Sequence, residues 1–289
     1  MIISSNSYIN LDATLFSGQC FRWISEPPWF YGIILNNLIK IREHPNGIEF
    51  FSTPTSETLL KDKISEYFNL HENLEHVYSY INSDSRINKS IHLFNGMHIL
   101  QQDPWECLIS FMCSSASNIK KIRGNIVSLT QYFGNELYLD KHILNTFPTI
   151  QNIAETDEDI LRDLGLGFRS QYIKSTAKTI LDQKIKIRTW KNLNYLEGLE
   201  RLLYFRGIGD KIANCILLFS LNKKEAFPVD RWIERILRNY YLTKTENKNL
   251  RTTEALRLWG MNHFGEYAGY ANHYLFHYFR KQKQVDNYL

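Results

Sequence analysis

Apolar positions take two textures along this chain. In the first hundred residues they form short runs or alternations, at Trp29 to Leu35, Leu38 to Glu43 and Ile48 to Ser52. Asn36-Asn37 and Pro45-Asn46-Gly47 punctuate these runs, a pattern expected of an antiparallel meander. Tyr8 to Thr14 and Cys20 to Trp23 are expected to add strands. Helical spacing begins near Thr55 and recurs through Tyr80 and Phe94. Asp103 and Pro104 then open a helix as N-cap and first residue, with Glu106 completing a capping box. Trp105, Leu108, Ile109, Met112, Ala116 and Ile119 line one face of it through Ile119. Beyond lie helices joined by Gly- or Pro-bearing turns. The expected fold class is α+β. An N-terminal antiparallel β-sheet domain with flanking helices (1–95) precedes a mainly helical region (96–289).

The most informative stretch of that region is a helical hairpin over about 196–221. Leu196, Leu199, Leu202 and Leu203 recur at helical spacing, and Gly207 and Gly209 break the helix. Glycine takes positive φ without steric cost, so a tight turn follows. Asp210 is expected as the next N-cap, with Ile212, Ala213, Cys215, Ile216 and Phe219 as an apolar stripe. Closely spaced backbone N–H groups at a positive helix end suit a nucleic-acid phosphate. Lys211 is out of place there, because the first turn of a helix prefers acidic side chains. Its position disfavours the charged form, and a neutral amine is a nucleophile that can form a Schiff base.

Asp230 is the expected companion of that amine. A helix from Asp210 to Leu221 is about 18 Å long. The eight residues Asn222 to Val229 span about 26 Å when extended. The chain can therefore return to the lysine end, where Phe227-Pro228-Val229-Asp230 opens another helix with Asp230 as its N-cap.

Composition narrows the field without deciding it. The chain has 289 residues and a net charge of +4, so any nucleic-acid footprint must come from local clusters. Candidates are Lys120-Lys121-Ile122-Arg123, the spaced Lys174, Lys178, Lys184, Lys186 and Arg188, and Arg231, Arg235 and Arg238. The four cysteines (20, 107, 113, 215) show no metal-ligand spacing. No cofactor or metal is expected, and Cys107 and Cys113 read as small core residues. The sequence shows no signal peptide and no membrane-length apolar run. An intracellular location with no membrane partner is therefore expected.

Gly207-Ile208-Gly209-Asp210-Lys211 followed by Pro228-Val229-Asp230 resembles the helix-hairpin-helix superfamily of DNA base-excision glycosylases. Four further blocks resemble its 8-oxoguanine DNA glycosylase/AP lyase family, in the same order. They are Gly-Gln-Cys-Phe-Arg-Trp (18–23), Gln-Asp-Pro-Trp-Glu-Cys-Leu-Ile-Ser-Phe-Met-Cys-Ser-Ser (102–115), Leu-Gly-Leu-Gly-Phe-Arg (164–169) and Tyr-Ala-Gly-Tyr-Ala-Asn (267–272). The likeness runs from about residue 8 to about residue 280. It implies a bifunctional enzyme acting, as a monomer, on double-stranded DNA containing 8-oxoguanine.

By the same resemblance, Lys211 attacks C1′ of the damaged nucleoside and leaves a Schiff base, and β-elimination then cuts the strand. Asp230 stabilises charge developing on the sugar. The damaged base must leave the duplex to be reached. Phe168 matches an aromatic wedge filling the gap, and Arg169 an arginine reading the orphaned cytosine. 8-Oxoguanine carries a proton on N7 where guanine offers a lone pair, so a facing carbonyl separates the two. The Gly18 carbonyl matches that role, and Cys215 and Phe276 match a pair sandwiching the base. Asn272 stands where the family usually has glutamine for the Watson–Crick edge. Ala116 replaces a common asparagine, and Trp232 replaces a histidine associated with the DNA backbone. Lys121 sits near a position that supports cytosine recognition, so an altered opposite-base preference is expected. Two other classes fit parts of this pattern. One is a related glycosylase for oxidised pyrimidines or mismatched bases. The other is a non-catalytic DNA-binding protein that uses the hairpin as a phosphate clamp.

Overall fold

A computed structural model of the protein describes residues 1–286; residues 287–289 of the expected helical region lie outside the described residues. Five N-terminal strands form one antiparallel sheet: β1 (Ile2–Ser4), β2 (Ile24–Glu26), β3 (Trp29–Ile34), β4 (Asn37–His44) and β5 (Gly47–Thr53). Their order is β1-β5-β4-β3-β2. The expected meander is its centre, with Ile41 opposite both Phe30 and Phe50. Ile39, Ile41, Ile48 and Phe50 are fully buried on it. The β3–β4 turn falls one residue earlier than the Asn36-Asn37 pair indicates. Leu35 and Asn36 take the two positive φ angles, and Asn37 opens β4. Gly32 is required where it stands, because a Cβ there would meet the Trp23 ring at 2.4 Å.

Two expected strands are not strands. Asn10 accepts a hydrogen bond from the Ala13 N–H and caps α1 (Leu11–Phe16), so this capping signal outweighs the apolar alternation of Tyr8 to Thr14. Cys20 to Trp23 runs unpaired into β2, with Cys20 and Trp23 in the core and Arg22 paired with Glu106 at 2.8 Å. The edge strands β1 and β2 are short: β1 pairs with the distant β5, and β2 turns straight back onto β3, with Glu26 opposite Trp29.

The helices that follow are α2 (Glu57–Phe68), α3 (Leu74–Ile81), α4 (Ser85–Leu93), α5 (Pro104–Met112) and α6 (Ile119–Phe133). A hairpin of β6 (Glu136–Leu139) and β7 (His142–Asn145) interrupts the helical run, which the sequence reading missed. It is pinned to the sheet by Asp140, which accepts from the Tyr31 hydroxyl and pairs with Lys40. Next come α7 (Ile150–Glu155), α8 (Glu158–Leu161), α9 (Ser170–Asp182), α10 (Tyr195–Leu203), α11 (Asp210–Ser220) and α12 (Arg231–Tyr240). The chain closes with α13 (Lys244–Asn249), α14 (Thr253–Phe264) and α15 (Ala268–Asp286).

The helix expected to run from Trp105 to Ile119 is two. α5 stops at Met112, Ala116 takes φ +46°, and Asn118 caps α6 by accepting from the Lys121 N–H. Asp103 caps α5 as expected, but Glu106 turns to Arg22 instead of closing a capping box. α11 is the axis of the helical body, with every side chain from Ile212 to Ser220 buried. α5, α10 and α14 pack around it, and Phe111 stacks on Phe219 at 5.5 Å. A separate apolar cluster fills the sheet, whereas α3 and α4 bury their apolar faces with the helical body.

Candidate active site

The hairpin forms where the glycines place it. α10 buries Tyr195, Leu199 and Leu202, while Leu196 and Leu203 are solvent-exposed, so the buried stripe is narrower than the leucine spacing suggests. Gly207 has φ +87°, and a Cβ there would strike the Tyr172 ring on α9. Gly209, not Asp210, is the N-cap of α11. Asp210 is drawn instead to Arg257 of α14 (2.8 Å), a buried guanidinium that also donates to the Tyr195 hydroxyl. That network ties α10, α11 and α14 together beside Lys211.

Lys211 lies in the first turn of α11, and its Nζ donates to Ser114 Oγ at 2.9 Å. Ser114 in turn donates to the Phe111 carbonyl, and the amine sits 5.4 Å from the Phe111 ring centre. Asp230 caps α12 as expected, accepting from the N–H groups of Trp232 and Ile233 at 2.9 Å. Burial pushes its carboxyl up, while the Ile233 N–H, the Lys211 charge and the Trp232 N–H pull it down. The chain therefore does return to the lysine end, although the amine bonds to Ser114 and no direct Lys211–Asp230 ion pair forms. One turn along α11, burial pushes the Cys215 thiol up to about 11, which keeps it neutral and apolar.

Other expected site residues gather nearby. Gly18 has φ +101°, and a Cβ on it would meet Arg280 Nη1 at 2.8 Å, Ile119 Cδ1 at 3.3 Å and Phe276 Cε1 at 3.4 Å. Phe276 is half-buried and lies parallel to His273, whose ring bonds to Ser17 Oγ at 2.8 Å. Asn272 is buried, and its amide N–H₂ donates to the Pro228 carbonyl, two residues before Asp230. It thus braces the turn carrying the carboxylate.

A second group of residues forms the surface beside the hairpin. Phe168 is half exposed, just after Gly167 with φ +58°. A cavity of about 290 Å³ links Phe168 and Arg169 with Tyr172, Arg206 and Gly207. Arg169 is buried, and its guanidinium donates to the carbonyls of Ser115, Ala116 and Leu166. It therefore holds the Ala116 turn in place. Lys121 approaches the same loop, since a Cβ on Gly165 would lie 3.1 Å from its Nζ. Trp232 is half-buried at the start of α12, under the Arg235 guanidinium.

Sequence reasoning missed Ser114, Arg257, His273 and Arg280. Ser114 carried a signal within the 102–115 block. The others are polar residues on otherwise apolar helices, a pattern that marks a buried network only once the facing helix is known. Among the described residues, no group of three or more His, Cys, Asp or Glu is arranged to hold a metal ion. No described helix is long and apolar enough to cross a membrane.

The family model for the N-terminal domain of 8-oxoguanine DNA glycosylase matches residues 1–108, and that for HhH-GPD superfamily base excision DNA repair proteins matches residues 109–261. An N-glycosylase/DNA lyase of Saccharomyces cerevisiae is 30% identical, over 94% of this chain and 84% of that protein. A probable N-glycosylase/DNA lyase of Methanothermobacter thermautotrophicus is 28% identical, over 96% and 95%. The fold matches the crystal structure of Clostridium acetobutylicum 8-oxoguanine glycosylase/lyase bound to double-stranded DNA containing cytosine opposite 8-oxoguanine. The TM-score is 0.88, at 29% identity and with 98% of each chain covered. The five-stranded sheet lies within the first matched range, the hairpin carrying Lys211 and the helix capped by Asp230 lie within the second, and the chain belongs to the 8-oxoguanine DNA glycosylase family of the HhH-GPD superfamily.

Proposed function

We propose that this protein is a bifunctional DNA glycosylase/AP lyase that excises 8-oxoguanine from double-stranded DNA and then cleaves the strand. The observation that carries the reading is the Lys211 amine, held at 2.9 Å by Ser114 at the start of a buried helix and within the electrostatic reach of Asp230. Lys211 attacks C1′ of the extruded nucleotide, the C1′–N9 bond breaks, and loss of the ring oxygen's bond to C1′ leaves a Schiff base. β-Elimination from that imine breaks the 3′ C–O bond. Asp230 stabilises positive charge building on the sugar.

Gly18 reads the N7 proton of the lesion through its carbonyl, and Cys215 and Phe276 flank the extruded base. One N–H of the Asn272 amide braces Pro228, so its second N–H and Oδ1 remain for the base. Phe168 fills the space left in the duplex, and Gly207 and Gly209 offer backbone N–H groups to a phosphate. Arg169 reads the orphaned cytosine once its carbonyl bonds are exchanged for base contacts. With Ala116 in place of an asparagine and Trp232 in place of a histidine, opposite-base preference is altered relative to better-known members, with Lys121 contributing to it. The protein acts as a monomer, inside the cell where the DNA is.

Borohydride trapping on a duplex with 8-oxoguanine opposite each of the four bases tests the reading. A covalent adduct is expected with the wild type and none with Lys211→Gln. A wild type that binds the duplex without any adduct is a phosphate clamp and not this enzyme.

A further inference from the structure

Beside Gly18 the protein holds buried donors that no acceptor among the described residues satisfies. Arg280 follows Phe276 by one helical turn on α15, and its guanidinium lies 5.3 Å from the Phe276 ring centre. One nitrogen, Nη2, donates to the Phe16 carbonyl at 2.7 Å and approaches His277 Nδ1 at 3.3 Å. The other two, Nε and Nη1, are buried and have no partner among the described residues. Nη1 is also the atom nearest the position a Gly18 Cβ would occupy. Arg123 of α6, stacked over Phe16, has a buried Nε in the same condition. Burial, and then the charge of Arg123, push the Arg280 group down to about 10, while Asp230 acts in the opposite direction.

Buried N–H groups without acceptors are costly, and two guanidinium groups held against Phe16 make their surroundings attractive to electron-rich oxygen. 8-Oxoguanine brings that chemistry. Its N7–H is flanked on one side by the O6 carbonyl and on the other by the O8 carbonyl. A donor adjacent to the group that reads N7 therefore meets one of those two oxygens. We propose that Arg280 is a specificity-determining residue, donating from Nη1 or Nε to a carbonyl oxygen flanking N7 of the extruded base. The inference rests on the reading above that Gly18 faces N7. It assigns Arg280 the recognition of a purine oxygen, which in this chain offsets the commitment of one Asn272 N–H to Pro228.

Single-turnover excision by the full chain tests this with Arg280→Met, which keeps the aliphatic stem and removes the donors, and Arg280→Lys, which retains one. On 8-oxoguanine duplexes Arg280→Met is expected to lose tenfold or more in excision rate at subsaturating protein. That loss should exceed its loss in cleaving an abasic duplex by at least tenfold, because an abasic site has no base to read. Arg280→Lys should recover part of it. Duplexes with 8-oxoadenine, which keeps O8 and lacks O6, assign the atom: an equal loss places the contact at O8, and no loss places it at O6. Equal losses on the base-bearing and abasic duplexes would mean a purely structural role and overturn the proposal, as would an unchanged rate on 8-oxoguanine. A wild type inert on 8-oxoguanine would overturn the parent reading and this one together.

Discussion

The Lys211 amine is aimed by Ser114, a residue nearly a hundred positions earlier, at 2.9 Å, just beyond the C-terminus of α5. The hydroxyl donates onward to the Phe111 carbonyl, so its lone pair is turned to the lysine. The position also sets the amine near the negative end of α5, which compensates for its place at the positive end of α11. Ser114→Ala removes the acceptor without touching the nucleophile. One hydrogen bond is worth about 1 kcal/mol, which corresponds to a roughly fivefold change in rate. Borohydride-trapped adduct should form about fivefold more slowly, with duplex affinity unchanged. An unaltered trapping rate would leave Ser114 as a bystander.

Asp230 combines a capping role with a buried charge, and the two can be separated. Asn is as good an N-cap as Asp, so Asp230→Asn should keep α12 intact. Burial raises the carboxyl pKa of the folded protein, so on deprotonation the folded state releases its proton later than the unfolded state does. Stability from this group therefore falls as pH rises from the ordinary carboxylate value to the raised one, and the cost persists at neutral pH. At pH 7 the Asn variant should be as stable as the wild type or more so by thermal melting. Its single-turnover excision should nevertheless drop about a hundredfold or more, the usual scale for losing a charge-stabilising group. A variant that is less stable yet equally active would reverse both assignments.

Much of this site is legible in the sequence because its signals are local. Gly207, Gly209 and the helix after them, Asp230 as a cap, and the central strands follow from glycine, capping and alternation rules. What was misread depended on partners far along the chain. Leu196 has the right spacing for a buried stripe, but α10 rotates so that Tyr195 and Leu199 face α11 instead. Asp210 has the side chain of a cap, but Arg257 across the interface claims it. Glu106 completes a capping-box pattern, but Arg22 from the unpaired stretch before β2 claims that carboxylate. The β6–β7 hairpin went unseen because its anchor, Asp140, bonds to Tyr31 and Lys40 of the distant sheet.

The pairing of Arg257 with Asp210 makes a strong prediction about the hairpin's frame. Both side chains are largely buried, and Arg257 also satisfies the Tyr195 hydroxyl. Removing one partner strands the other's charge, which costs about 3–5 kcal/mol in buried pairs. Replacing both with neutral groups need not. Arg257→Met alone should lower the denaturation midpoint sharply, and Asp210→Asn in the same chain should restore much of the loss. A double variant no more stable than Arg257→Met would show that the guanidinium acts through packing, not charge.

Acid should unfold this protein through the histidines of α15. Burial, reinforced by the charges of Arg280 and Lys281, holds the His277 imidazole down to about 3, and burial holds His273 well below its usual value. His277 Nδ1 accepts from Arg280, an arrangement that needs the neutral ring, and Phe94 packs edge-on against it. In the unfolded chain the same imidazole titrates near 6.5, so below that pH the unfolded state binds the extra proton and the folded state does not. The stability contributed is complete above about pH 6.5 and is lost progressively as pH falls toward 3. Each pH unit in that window is worth about 1.4 kcal/mol per ring. Going from pH 7 to pH 4.5 should thus cost the wild type about 2–3 kcal/mol through His277 alone. His277→Asn keeps a neutral oxygen for Arg280 and cannot take up the proton. Denaturant titrations at the two pH values should show the variant losing less stability than the wild type by roughly that amount, with a residual acid sensitivity from His273. Parallel losses in both proteins would mean that His277 is charged or solvated in the folded state, and that the Arg280 bond does not hold it neutral.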